Sequence, residues 1–201
     1  SKCDCKIQII TKSNLVIRDI DLLRKIPSMV SLTITTDDDN IAKLIEPHAP
    51  PPSERLKAIE TLTGKGISTS VRIDPIIPSI NDNPENLVKA LSSIGVKHIT
   101  SSTYKVKLDN WQRLSLTLPK TAEKLKPLYF EKGERIGRYT YLPKDLRLQL
   151  MEKAASLAKK YSIKFATCRE GLNHLNTATC DGSWLLENNQ SLKRQPNRIY
   201  R

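Results

Sequence analysis

The stretch VRIDPIIPSIND (71–82) sets Arg72 and Asp74 two residues apart in a β-branched run and follows them at once with Pro75 and Ile76. Strand alternation sends Arg72 and Asp74 to one face and Val71 and Ile73 to the other, so the two charges are expected to pair on the inner side of a sheet. Charges removed from water require such pairing. Pro75 cannot donate to a ladder and is expected to end the strand. Three other short runs end in equally polar residues: Thr11, Lys12 and Ser13 after KIQII; Thr35, Thr36 and three aspartates after SLTIT; Ser101 to Lys105 at the end of KHITSST. Ligands of parallel β/α folds bind at the carboxyl ends of strands, although solvated loops are polar in any case. Glu46 and Arg55 bracket EPHAPPPSER and read as a structural ion pair clamping a proline-stiffened loop onto the next helix.

The thiols and imidazoles give less. Cys3 and Cys5 precede the first strand and Cys168 follows the last, which are opposite ends of a parallel sheet, so one four-cysteine metal site is not expected. Cys168 and Cys180, in TCREGLNHLNTATCDG, are candidates for a radical-quenching thiol or for ligands of a second cluster, against the ordinary reading as structural cysteines. A cytoplasmic chain does not imply disulfides. His48, His98 and His174 lack the spacing of a zinc pair.

These residues have to be positioned by elements, and the pattern supplies them. KIQII (6–10), SLTIT (31–35), TSVRID (69–74) and KHITSST (97–103) predict strands. Asp19 to Ile26, Ser53 to Leu62 and a segment capped by Asn83, with Pro84 at its first position and Gly95 at its end, predict helices between them. Strand and helix in alternation predict a parallel sheet or barrel. Past Asp109 the pattern loosens: Trp111 to Leu118 predicts a short helix, 131–142 a basic loop, Lys144 to Tyr161 a long helix and IKFAT a strand. The tail after Asn188 is expected to be flexible.

The chain has 201 residues, 27% of them charged, and a formal charge of +12. No apolar run approaches the roughly 20 residues of a membrane span, and no signal peptide is evident, so a cytoplasmic protein without membrane contact is expected. Residues 101–201 hold 20 Lys and Arg against 9 Asp and Glu, a net +11, whereas residues 1–100 are at +1. That asymmetry predicts a polyanionic partner, DNA or RNA, for the second half, through Arg135, Arg138, Lys144 and a stacking Tyr139. A lysine-rich solvated surface is the ordinary alternative.

The runs QIITKSNLVIRDIDLL, SLTITTDDDNIAKLIEPHAPPPSERLKAI and RIDPIIPSIND, with YKVKLDNWQRL and CREGLNHLNTATCDG further on, resemble radical S-adenosylmethionine proteins related to spore photoproduct lyase, often labelled DNA repair photolyases. The ordered elements TKS, ITT, EPxAPxxxxR and PIIPxIND carry the resemblance. It implies a partial (β/α) barrel of TIM type with a C-terminal α/β extension, S-adenosylmethionine, and a 4Fe-4S cluster held by a CxxxCxxC loop, from which reductive cleavage gives a 5′-deoxyadenosyl radical. It also implies Lys12 near the methionine carboxylate, Thr33 and Thr35 at the ribose or carboxylate, and Pro75 and Ile76 along the adenine, with Arg72 and Asp74 on the same cofactor face. No CxxxCxxC occurs in the sequence. KIQII corresponds to the third strand of the family, so the cluster loop and the first two strands are expected to be missing.

The expectation is therefore a partial barrel at 1–108, a basic extension completing the domain at 109–188 and a basic tail at 189–201. Its function would be that of the C-terminal portion of a radical S-adenosylmethionine enzyme, lyase-like and acting on nucleic acid, inactive without its cluster loop. A non-catalytic nucleic-acid-binding β/α module is the alternative.

Overall fold

The computed structural model describes residues 5–187. The β-branched runs form β1 (Ile7–Thr11), β2 (Ser28–Thr33), β3 (Ser68–Ile76) and β4 (His98–Thr103). Residues 14–19 wind as a 3-10 helix into a single turn, α1 (Ile20–Leu23), in place of the helix expected to reach Ile26. An unexpected element, α2 (Asp39–Ile45), capped by the Asp38 carboxylate, precedes the proline loop, and α3 (Pro52–Gly64) follows it where Ser53 to Leu62 predicted a helix. Pro84 takes the cap position of α4 (Glu85–Ser93), so Asn83 does not cap it. Past β4 come α5 (Leu108–Thr117) and α6 (Pro119–Phe130), the second of them unforeseen, with Pro127 in its last turns.

The expected loop at 131–142 holds a hairpin of β5 (Glu134–Ile136) and β6 (Tyr139–Tyr141). Three-residue strands are too short to show alternation, but Gly137, with φ +60° at the first loop position, is what a tight two-residue turn calls for. Then α7 (Lys144–Lys160) and β7 (Lys164–Thr167) complete the order. The basic tail at 189–201 lies outside the described residues.

All five long strands run parallel, in the order β1-β2-β3-β4-β7. β7 pairs with β4, so one sheet takes strands from both sides of residue 108. Among the described residues β1 and β7 do not pair, and the sheet is open rather than a closed barrel. β7 is covered by Thr177, which exchanges hydrogen bonds with Phe165, whereas the β1 edge keeps Ile10 59% exposed.

Register makes the sheet two-faced. Leu32, Val71, Ile99 and Phe165 are paired neighbours and form one row with the core, packed on Ile59 and Leu62 of α3, Leu87 and Leu91 of α4, and Met151 and Ala154 of α7. One residue on, Thr33, Arg72, Thr100 and Ala166 form a row that faces the opposite way, as the period of two requires. Met29, Ser31, Ser70 and His98 share that largely polar face.

Its amino-terminal half is covered by residues 180–185. Gln8 Nε2 donates to the Asp181 carbonyl at 2.6 Å, Thr100 Oγ1 to Cys180 O at 2.8 Å and Ser68 Oγ to Leu185 O at 3.3 Å. Gly182, with φ +75°, lies so near the sheet that a Cβ would sit 3.1 Å from Met29 Cε. Trp184 Nε1 donates to His98 Nδ1 at 2.8 Å. Indole is a donor only, so His98 is the Nε2–H tautomer and its proton goes to Thr100 Oγ1 at 3.0 Å.

Two expectations are corrected. Pro75 does not end β3: the strand runs to Ile76 through a register shift between Ile73 and Ile76, and the Asp74–Pro75 peptide is cis. A bulge absorbs the missing donor, which an unbroken ladder would not. Cys5 is disulfide-bonded. An argument from compartment describes an average thiol, whereas a bond needs only two sulfurs within reach.

Burial pushes the His98 imidazole down to about 4, with Asp181 opposing and Arg72 adding to the fall. The unfolded chain takes up that proton near pH 6.5, so between pH 6.5 and 4 it binds more protons and stability falls as the pH drops. Urea midpoints at pH 7 and 4.5 are expected to show a loss for the parent, worth up to about 3 kcal/mol from this group, that His98→Gln reduces. Equal losses in both proteins would refute the assignment.

Candidate functional site at the carboxyl ends of the strands

Glu46 follows α2 directly and its side chain is 7% exposed. Oε1 accepts from Lys12 Nζ at 2.6 Å and from the Thr35 hydroxyl. Oε2 lies 2.6 Å from Arg55 Nη1, an ion pair without hydrogen-bond alignment. Arg55 is fully buried on α3, giving Nε–H to Pro50 O at 2.6 Å and Nη1–H to Thr33 O at 3.0 Å, while Nη2 has no partner. The expected clamp on the proline loop is therefore present, and it extends to the ends of β1 and β2. Burial pushes the Glu46 carboxyl up, but hydrogen bonds from Lys12 and Thr35 and the charges of Lys12 and Arg55 outweigh it and hold it below the usual carboxylate range. Two cations against one anion leave this corner with an excess positive charge.

Asn81, in PIIPSIND, ties the next loop to the same corner. Its amide donates to the carbonyls of Thr35 and Pro75, and its oxygen accepts from Ile77 N at 2.6 Å. Sequence reasoning passed over it, although an asparagine three residues after a proline, as Asn81 is after Pro78, is a recurrent way to satisfy loop backbone. The result is a cleft of about 300 Å³ lined by Lys12, Thr35 and Glu46, by Leu44, Pro75 and Ile77, and by Asn110 and Arg113 of α5.

Of the residues assigned to the cofactor, Lys12, Thr35 and Pro75 thus come together. Ile76 does not join them: it is 1% exposed in the core, and Ile77 lines the cleft, because the register shift turns one residue further. The Thr33 side chain is buried outside the cleft. Arg72 and Asp74 pair at 2.6 Å as expected, on the polar face of the sheet, with the Ser102 hydroxyl donating to Asp74. Burial opposes the charge of the Arg72 guanidinium, and Asp74 and the neighbouring Cys168 restore it. Cys168 is half-buried and Cys180 exposed, both free thiols. Among the described residues no group of three or more His, Cys, Asp or Glu is placed to hold a metal ion.

Beyond β4 a second network went unnoticed. Glu170, 3% exposed just after β7, accepts from Lys105 Nζ at 2.6 Å and from Thr103 N at 2.9 Å. Arg147, 3% exposed on α7, donates to Leu142 O, to Glu170 O and to Glu134 Oε2, at 2.9, 2.7 and 2.6 Å. It fastens the hairpin to the sheet. Its signal was an arginine on the apolar stripe of Leu150, Met151, Ala154 and Ala158. Of the proposed nucleic-acid residues, Arg135, Arg138 and Lys144 are exposed and Tyr139 is half-buried. Lys107 Nζ lies 4.6 Å from the Tyr139 ring centroid and the Arg169 guanidinium 5.1 Å from it.

No protein-family model matches this chain. It is 44% identical over 78 residues to an uncharacterized protein of Methanocaldococcus jannaschii, covering 38% of this chain and 30% of that one. An uncharacterized protein of Mycobacterium tuberculosis is 26% identical over 168 residues, 78% of this chain and 47% of the relative. Among solved structures, a cysteine-to-serine mutant of spore photoproduct lyase superposes with a TM-score of 0.63 at 16% identity, over 81% of this chain and 51% of that one. Another mutant of the same enzyme, with bound AdoMet and dinucleoside spore photoproduct, gives 0.60 at 15% identity. The likeness establishes a related α/β fold. This chain spans about half of the lyase and less than half of these curated relatives.

The Glu46 corner predicts unequal losses. Arg55→Met removes a buried charge and abandons two carbonyls, and is expected to cost about 3–5 kcal/mol in urea unfolding. Lys12→Met, at a side chain 43% exposed, is expected to cost less than about 1 kcal/mol. Comparable losses would contradict the hub.

Proposed function

We propose that this chain is the S-adenosylmethionine-binding, nucleic-acid-facing portion of a radical S-adenosylmethionine enzyme related to spore photoproduct lyase. The observation that carries the reading is the convergence of Lys12, Thr35 and Glu46 in a cleft that Leu44 and Pro75 also line. It lies at the carboxyl ends of parallel strands, on a fold related to a lyase that binds AdoMet in one solved structure. The excess cation there suits a ligand carboxylate, and Glu46 holds Lys12 and Thr35 where they meet it. Leu44 and Pro75 offer an apolar surface to an adenine ring. Bound S-adenosylmethionine would supply radical hydrogen abstraction once a reduced iron–sulfur cluster cleaved it.

The described residues do not fit that cluster: there is no CxxxCxxC and no cluster of three thiols. In this reading other strands, added along β1 and carrying the cluster loop, complete a barrel. The exposed Ile7 and Ile10 of that edge support it. For nucleic acid the support is Arg135 and Arg138 on the exposed hairpin, the adjoining Lys144, and a half-chain charge of +11.

The test is anaerobic reconstitution of the full-length gene product followed by assay of 5′-deoxyadenosine, with and without DNA or RNA. Formation is expected, with Lys12→Ala raising the KM for S-adenosylmethionine about tenfold or more, the usual loss for a hydrogen bond to a charged group. A cluster-loaded protein that formed none would exclude the radical reading and leave a nucleic-acid-binding module. Release of nucleic acid that did not depend on salt would remove the electrostatic part.

A further inference from the structure

Lys107, at the start of α5, Tyr139, at the start of β6, and Arg169, just after β7, come from three separate stretches of chain and meet at one phenol ring. Among the described residues no carboxylate lies within ion-pair distance of Lys107 or Arg169. The contrast with their neighbours is sharp. Lys105 and Arg147, within 5.4 and 5.2 Å of the adjacent Tyr141 ring centroid, are neutralised by Glu170 and Glu134. Two cations drawn to a common ring with no anion between them repel each other, and an incoming anion would relieve that repulsion.

Arg169 is held there at φ +61°, a left-handed conformation that a non-glycine residue occupies only when its surroundings demand it. Lys107 and Arg169 favour the ionised phenol and pull the Tyr139 ionisation below the ordinary phenol range. Arg135 and Arg138, on the same hairpin, are likewise without a carboxylate partner among the described residues.

The geometry points to Lys107, Arg169 and the Tyr139 hydroxyl as a site for one phosphate group of a nucleic-acid backbone. A guanidinium fork, an ammonium and a phenol hydroxyl supply donors to several oxygens of one tetrahedral anion. Tyr139 acts here through its hydroxyl and as the post that gathers two cations, with its ring already engaged. The assignment of the phosphate to nucleic acid rests on the nucleic-acid reading above. The phosphate chemistry stands apart from it.

Two measurements separate them. In the first, inorganic phosphate is titrated while the phenolate absorption of the protein is followed against Tyr139→Phe. Phosphate is expected to raise the Tyr139 ionisation, and Lys107→Met/Arg169→Met to abolish the effect. In the second, affinity for a single-stranded oligonucleotide is measured across salt concentrations. The same double variant is expected to bind about tenfold more weakly and to lower the salt slope by about 0.7, the value of one phosphate contact. Lys107→Arg/Arg169→Lys is expected to keep the slope. Arg135→Ala/Arg138→Ala lowers it independently.

If the parent binds and the double variant keeps its slope and affinity, the phosphate site is overturned and the nucleic-acid reading survives. If the parent binds no oligonucleotide at low salt, the nucleic-acid source falls, and the phosphate titration decides the site. A phosphate-dependent shift lost in the double variant then upholds it for another phosphate ester, and no shift overturns it.

Discussion

A buried carboxylate that accepts from an ammonium and a hydroxyl and faces a guanidinium has little freedom to move. Glu46 is in that position, and the ends of β1 and β2, the proline loop and α3 all take their places from it. Arg55 extends the restraint to the Thr33 and Pro50 carbonyls, so the backbone leaving β2 is held by side chains where the ladder stops. Asn81 does the same for the loop after β3. The cleft is the space left between chain segments fixed in this way. Its shape is preformed because its polar groups are mostly committed to one another.

The two faces of the sheet divide the remaining work. One is apolar and covered by helices, as a parallel sheet requires. The other is largely polar, and residues 180–185 close only its amino-terminal half through Gln8, Ser68, His98 and Thr100. Arg72, Asp74 and Cys168 at the other half keep partial access to solvent. A ligand over this face would therefore meet the charged end of the strands and not their beginnings. The Glu170–Arg147 network sits at the far edge of the same end and sets the hairpin beside it.

Much of this was legible in short spans of sequence. Alternation in VRID located the Arg72–Asp74 pair, because a period of two acts over neighbouring residues. EPHAPPPSER announced the Glu46–Arg55 pair, because both ends of a stiff loop must be held. The five parallel strands announced themselves by β-branched residues. Less was legible where elements are short or their signals conflict: α2 has seven residues, α6 contains a proline, and β5 and β6 have three residues each. Only the family resemblance placed Ile76 along the adenine, and the register shift between Ile73 and Ile76 leaves its side chain in the core instead.

The sequence by itself determined the β/α alternation, the charge of the second half and the local pairs, since each depends on side chains a few residues apart. Only the tertiary structure decided that Lys12 and Thr35 share one carboxylate, that Glu170 serves Lys105 and Thr103, and that Lys107 and Arg169 meet at Tyr139. Those contacts join residues as far apart as Thr103 and Glu170, 67 positions along the chain. Strand order and register bring them together, and neither is written in the spacing of the residues concerned.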